Sequence, residues 1–140
     1  MPKRSVRTTI IPARTAPRAI DTSVLRSIAT VTPAAEAYLR EHPLLADLAE
    51  RNACILRDLK AEGAPFTAIT VEKHDDPEIR DLTAIVFDVN ADGDLSEVKP
   101  WDEQLRRRRL AFEDGLSANA RDANLLNIIV HLSPATVRDF

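Results

Sequence analysis

The sequence predicts one α+β domain with a small, mainly antiparallel sheet backed by two helices, in the order α-β-β-α-β. Leucines recur at helical spacing over residues 44–59, which predicts a helix with one apolar face. Two β-branched apolar runs follow at 66–73 and 82–89, and a third occupies 125–132. A length of 140 residues and a hydrophobic content of 44% suit a single domain with one core.

A flexible basic arm is predicted ahead of this domain, over residues 1–31, which leaves 32–140 for the domain. Its six cations against one acid give a formal charge of +5 in a chain of net charge −3, so the remainder carries −8. Residues 1–19 contain three prolines and no helical periodicity, which is typical of a disordered segment. A short helix at 22–30, with Leu25 among its apolar residues, is the one element expected there.

The helical region of the domain is predicted to begin after Thr32, which can cap a helix that has Pro33 in its first turn. The His42-Pro43 pair is expected to interrupt it, because proline lacks the backbone N–H that a helix needs. The helical pattern then continues to Leu59, and Gly63 is expected to end it.

The next two apolar runs are predicted to pair as a long antiparallel hairpin. The corner between them, Asp75-Asp76-Pro77-Glu78, is made of residue types that favour a turn. Nine of the 22 acidic residues of the chain lie between positions 72 and 97. We therefore predict an interaction surface at Asp75, Asp76 and Glu78.

Two structures are compatible with residues 90–99. In one, Asp92-Gly93 is a tight hairpin turn that leads into a third strand. In the other, the same residues form a loop that enters a helix at Ser96 or Pro100. A helix from about Pro100 is favoured in both cases, and its apolar face consists of Trp101, Leu105, Phe112 and Leu116. The run at 125–132 is predicted to be the last strand, with one buried helix as the alternative.

The predicted core draws on both helices and all three strands. Its members are Leu45, Leu48, Ile55, Leu59, Ile69, Val71, Ile85, Phe87, Trp101, Leu105, Phe112, Ile128 and Val130.

A hairpin turn at Asp92-Gly93 would place Asp88 directly opposite Glu97, with Lys99 on the same face. One aspartate, one glutamate and one lysine arranged in this way resemble the PD-(D/E)xK nuclease motif. The resemblance implies Mg²⁺ held by Asp88 and Glu97, with Lys99 acting on the attacking water. Residues 88–94 also match the start of a calcium loop, but Lys99 stands where its last acid belongs, which favours a plain turn. No other catalytic residue, metal or cofactor is predicted.

The opposed charge blocks and the lack of another catalytic set predict a non-catalytic interaction protein. It is expected to pair with a second copy, as a homodimer, or with a different protein. Contact with nucleic acid is a further hypothesis, because clustered cations neutralise phosphates. The cations concerned are Lys3, Arg4, Arg7, Arg106, Arg107, Arg108 and Arg109.

The expected compartment is the cytoplasm. A single cysteine, Cys54, cannot form a disulfide within the chain, which fits a reducing environment. No apolar run approaches the roughly 18 residues of a membrane span, and no apolar stretch of a secretory signal follows the first cations. Nuclease chemistry is thus the only enzymatic alternative, and no membrane contact is expected.

Several short motifs resemble a diffuse group of short, uncharacterised bacterial proteins. They are Ile69-Thr70-Val71-Glu72, Asp76-Pro77-Glu78, residues 82–87, Asp94-Leu95-Ser96-Glu97 and residues 125–132. Such proteins are found as small operon partners, so the resemblance implies an accessory or antitoxin-like role.

Overall fold

The computed structural model describes residues 23–78 and 82–135. In chain order, its elements are α1 (Ser23–Ile28), β1 (Thr30–Val31), α2 (Pro33–Glu41), α3 (Pro43–Ala61), β2 (Phe66–Asp75), β3 (Thr83–Ala91), α4 (Leu95–Asp114), α5 (Ala118–Asn127) and β4 (Ile128–Pro134). The predicted α+β class is confirmed. The predicted order α-β-β-α-β is wrong, because the described residues hold five helices and four strands.

The four strands form one open sheet in the order β1-β2-β3-β4. Only β2 and β3 are antiparallel, as the predicted hairpin, whereas β1 runs parallel to β2 and β4 runs parallel to β3. The prediction of a mainly antiparallel sheet is therefore wrong for two of the three strand pairs. In both parallel pairs, helices connect the two strands, and a strand that follows a helical crossover returns in the original direction.

The core lies between one face of the sheet and the helices. Most of the predicted core is buried there: Leu45, Leu48, Leu59, Ile69, Val71, Ile85, Phe87, Leu105 and Ile128. The remaining members pack against this cluster in half-buried positions: Ile55, Trp101, Phe112 and Val130. The predicted number of covering helices, two, is too low, because α1 and α2 add the buried side chains of Leu25 and Leu39 to the same core.

Residues 23–31, which the sequence assigned to the arm, belong to the folded domain. The Leu25 side chain is 2% exposed, and β1 pairs with Thr70 and Val71 of β2. The Glu50 carboxylate of α3 accepts hydrogen bonds at 3.2 Å from the backbone N–H groups of Val24 and Leu25, which are at the start of α1. The rest of the predicted arm, including Lys3, Arg4 and Arg7, lies outside the described residues.

The helix boundaries around α2 and α3 follow the predicted signals. The Thr32 hydroxyl accepts a hydrogen bond from the N–H of Ala35 at 3.3 Å, and Pro33 is the first residue of α2. His42 leaves the helical conformation before Pro43, which separates α2 from α3. Gly63, at φ +113°, follows the end of α3 in the left-handed region that favours glycine.

Helix α4 begins at Leu95, five residues before the favoured start at Pro100, so residues 90–99 hold the end of β3, a turn at 92–94 and the start of α4. The Asp94 carboxylate accepts the N–H of Glu97, and the Glu97 carboxylate accepts the N–H of Asp94, each at 2.9 Å. This reciprocal capping box satisfies two backbone N–H groups at the start of α4, and Pro100 lies inside the helix.

The run at 125–132 is neither one strand nor one helix. Its first three residues end α5, and the strand β4 begins at Ile128. The prediction of a strand is therefore confirmed only for the second part of the run.

Candidate functional site

One face of the sheet is covered by helices, and no described element covers the other. Along β3, Ile85 and Phe87 are fully buried, whereas Val86 between them is half-buried. The strand register places Ile129 of β4 beside Val86, and Ile129 is 43% exposed. The uncovered face therefore extends across three strands and includes Thr70, Glu72, Val86, Asp88, Ile129 and His131.

A groove of about 500 Å³ lies at one end of this face. Its apolar lining comes from the start of β3, the end of α5 and the start of β4: Leu82, Ala84, Val86, Leu126 and Ile129. Its polar lining is the corner between β2 and β3: His74, Asp75, Asp76, Pro77 and Glu78. The structure thus brings the three acids of the predicted interaction surface together with an apolar patch.

The acidic corner is held in place by local hydrogen bonds. The Thr83 hydroxyl donates to Asp75 at 2.6 Å, and the backbone N–H of Glu78 donates to Asp76 at 2.8 Å. The hydrogen bond from Thr83, aided by the Lys73 ammonium group at 3.5 Å, lowers the pKa of Asp75 below its ordinary value. This carboxylate therefore stays negative at neutral pH.

The apolar part of the groove was missed by sequence reasoning. Leu126 is 62% exposed at the end of α5, although its run of apolar residues was predicted to be one strand, with one buried helix as the alternative. The run changes from helix to strand between Asn127 and Ile128, so its side chains follow a period of 3.6 residues before the change and of 2 after it, and no single periodicity describes the whole run. The signal that could have located this change is Asn127, a polar residue in the middle of the apolar run.

The three nuclease candidates are not assembled into one site. Asp88 lies on the uncovered sheet face, where its register partners are Thr70 and His131. Glu97 lies in the first turn of α4 and bonds to the backbone of Asp94, and Lys99 is two residues further along the same helix. The hairpin that would place Asp88 opposite Glu97 does not form, because the capping box directs the chain into a helix.

The four consecutive arginines point to different partners. Arg106 bonds to Asp102 at 2.7 Å on its own helix, and Arg108 makes two hydrogen bonds, of 2.6 and 2.8 Å, to Glu62 at the end of α3. The hydrogen bond from Arg108 lowers the pKa of the Glu62 carboxyl below its ordinary value. Arg107 has no acidic partner among the described residues, and it lines a shallow groove beside Trp101.

Arg109 belongs to a buried polar network that the sequence analysis did not identify. Its guanidinium donates to the Asn52 side-chain oxygen at 2.8 Å and to the Ile128 backbone oxygen at 2.9 Å. Asn124 donates to the Glu113 carboxylate at 2.6 Å. Burial lowers the pKa of Arg109, although Glu113 opposes that shift. This network joins α3, α4, α5 and the start of β4, and its groups are used in holding these elements together.

Cys54 is half-buried on α3, and burial raises the pKa of its thiol, which favours the protonated form over the reactive thiolate.

Within residues 23–78 and 82–135, no group of three His, Cys, Asp or Glu side chains could hold a metal ion. In the same part of the chain, no helix is both long and apolar enough to cross a membrane.

No protein-family model, curated protein or solved structure matched the chain. What the uncovered sheet face can do therefore follows from its own residues: it offers exposed apolar side chains beside a group of carboxylates.

Proposed function

We propose that the protein is a non-catalytic accessory protein that binds a protein partner through the groove on its uncovered sheet face. The observation that supports this most directly is the exposure of Leu126 and Ile129, at 62% and 43%, beside the acidic corner. Contiguous exposed apolar side chains with a polar rim are typical of protein-binding surfaces. Covering them would remove apolar surface from water, which favours association.

The proposal of a non-catalytic role rests on where the candidate catalytic groups are. Asp88 lies on β3, whereas Glu97 and Lys99 lie on α4, and Glu97 is already used in capping that helix. A Mg²⁺-dependent nuclease of the PD-(D/E)xK kind needs both carboxylates on one ion. We therefore give preference to protein binding over nuclease activity.

Nucleic-acid contact is retained only as a secondary hypothesis. Arg106, Arg108 and Arg109 already have partners within the protein, which leaves Arg107 as the member of that run that is exposed without an acidic partner among the described residues. One exposed arginine supplies little of the phosphate neutralisation that nucleic-acid binding requires.

A cytoplasmic, operon-partner role is the biological setting that we propose. The single cysteine and the accessory role implied by the bacterial resemblance support it. The partner should therefore be sought among the products of adjacent genes. Self-association with a second copy of this chain is the alternative form of the proposed binding.

The test is co-purification with the products of adjacent genes, combined with size-exclusion chromatography and light scattering. We expect the wild type to form a complex or a dimer, and Leu126→Glu to lose it. Leu110→Glu is the matched control, because Leu110 is 57% exposed on α4 and does not line the groove. A monomeric wild type that retains no partner, or equal binding by both variants, would contradict the proposal.

A further inference from the structure

We infer that the groove receives a basic segment of a partner protein, in which lysine or arginine side chains flank apolar ones. This inference rests on the proposed function and narrows it to one chemical class of partner.

The apolar lining requires apolar side chains from the occupant. Leu126 at the end of α5 and Ile129 near the start of β4 are both exposed. Val86, the register partner of Ile129 on β3, is half-buried. A fully polar occupant would leave these side chains without apolar contacts. Leucine, isoleucine or valine side chains of a partner segment would bury them.

The charge at the rim selects cations. Asp75, Asp76 and Glu78 supply three carboxylates. The Lys73 ammonium group lies 3.5 Å from Asp75 and 5.5 Å from the centroid of the Tyr38 ring, so one cation stands against the three carboxylates. An incoming lysine or arginine therefore meets a negative rim, and this complementarity favours encounter.

The same charge disfavours two other occupants. Phosphates of a nucleic acid would be repelled by the carboxylates, so the nucleic-acid hypothesis does not extend to this groove. A second copy docked symmetrically through the same groove would bring two acidic corners together, since a two-fold interface presents the same patch on both subunits. Like charges placed together in an interface oppose association.

The experiment measures binding of two fluorescent peptides to the full chain by anisotropy. One peptide is a short amphipathic sequence of leucine and lysine, and the other has every lysine replaced by glutamate. We expect the lysine peptide to bind, with affinity that falls as salt is raised, and the glutamate peptide not to bind. Glu78→Lys should weaken the lysine peptide by roughly threefold to tenfold, as expected for reversing one exposed charge.

Glu103→Lys is the matched control, because it makes the same change in net charge at an exposed position on α4 outside this groove. We expect its affinity for the lysine peptide to equal that of the wild type. Leu126→Glu should abolish binding of the peptide, since it places a charge in the apolar lining.

Several results would overturn the inference. They are equal binding of the two peptides, no binding of either, or equal effects of Glu78→Lys and Glu103→Lys. Carbodiimide coupling of Lys3 to Glu78 within one free chain would assign the groove to the chain's own basic segment instead. If any of these holds while Leu126→Glu still loses the co-purified partner, the proposed function survives and only the basic class of partner is wrong.

Discussion

The side-chain amide of Asn52 in α3 donates a hydrogen bond to the side-chain oxygen of Asn124 in α5 across 2.9 Å, and both residues are at most 1% exposed. The two residues are 72 positions apart in the sequence. Each has a second partner, since Asn52 accepts from Arg109 and Asn124 donates to Glu113. Because buried polar groups are stable only when paired, this arrangement specifies how the two helices that precede β4 dock on α3.

Replacing Asn124 by alanine should destabilise the fold substantially. The substitution leaves the buried Glu113 carboxylate without the hydrogen bond from Asn124. It also removes one hydrogen bond of the Asn52 amide, which keeps the Leu48 backbone oxygen as a partner. Since an unpaired buried group costs roughly 1 to 3 kcal/mol and the lost Asn52 hydrogen bond contributes about 1 kcal/mol, we expect the free energy of unfolding in urea to fall by about 2 to 4 kcal/mol. Asn119→Ala, at an exposed position on the same helix, is the control and should change it little. Equal losses in the two variants would show that the network contributes nothing specific.

Replacing Arg109 by lysine should also be destabilising, although the charge is kept. The guanidinium reaches Asn52 and the Ile128 backbone oxygen through different nitrogens, and one ammonium group cannot reproduce that geometry. We expect a loss of about 1 to 3 kcal/mol in the free energy of unfolding, measured in urea. Arg107→Lys, on the exposed side of the same helix, should be neutral within the error of the measurement.

Local signals predicted the parts of the fold that depend on a few neighbouring residues. The Thr32 cap and the His42-Pro43 interruption follow from side-chain and backbone chemistry within one turn. The hairpin of β2 and β3 follows from two apolar runs around one acidic corner. In each case the deciding interaction is close in the sequence, so the pattern of residue types is sufficient.

The remaining features depend on competition between signals or on distant contacts. The predicted start of α4 at about Pro100 is wrong, because Asp94 and Glu97, three residues apart, form a capping box that starts the helix at Leu95. The parallel pairing of β4 depends on how two helices pack, which no local pattern records. Only the acids of the groove were predicted, because they lie within four positions of the sequence. Its apolar lining joins residues from separate parts of the chain.

Replacing Gly93 by alanine should weaken the entry into α4. Gly93 has φ +112°, which side chains with a Cβ rarely adopt, and an added Cβ would lie 3.1 Å from the Glu97 carboxylate oxygen. We expect a loss of about 1 to 2 kcal/mol in the free energy of unfolding from the backbone alone. Gly115→Ala is the control, since its φ is −90° and its nearest contact is an ordinary 3.7 Å. A Gly93→Ala protein as stable as Gly115→Ala would contradict this account.

Protonation of Asp94 should account for part of the acid sensitivity of the fold. The Ser96 hydroxyl, at 2.7 Å, and the N–H of Glu97 lower the pKa of Asp94 below its ordinary value. Because the folded pKa lies below the unfolded one, the stabilisation is fully present above the unfolded value of about 3.9 and is lost as the pH falls through the folded value. The contribution of the Asp94 carboxylate to stability should therefore be lost below about pH 4.

Asp94→Asn keeps an oxygen that can accept the same N–H but does not titrate. We expect the urea midpoint of the wild type to fall more steeply between pH 5 and pH 2.5 than that of Asp94→Asn. Some acid sensitivity should remain in the variant, because the pKa values of Asp75 and Glu62 are lowered as well. Asp122→Asn, at an exposed position on α5, should follow the wild-type curve. If the curves of Asp94→Asn and the wild type run parallel, the charge of Asp94 does not stabilise α4, and its role is limited to accepting hydrogen bonds that an amide oxygen accepts equally well.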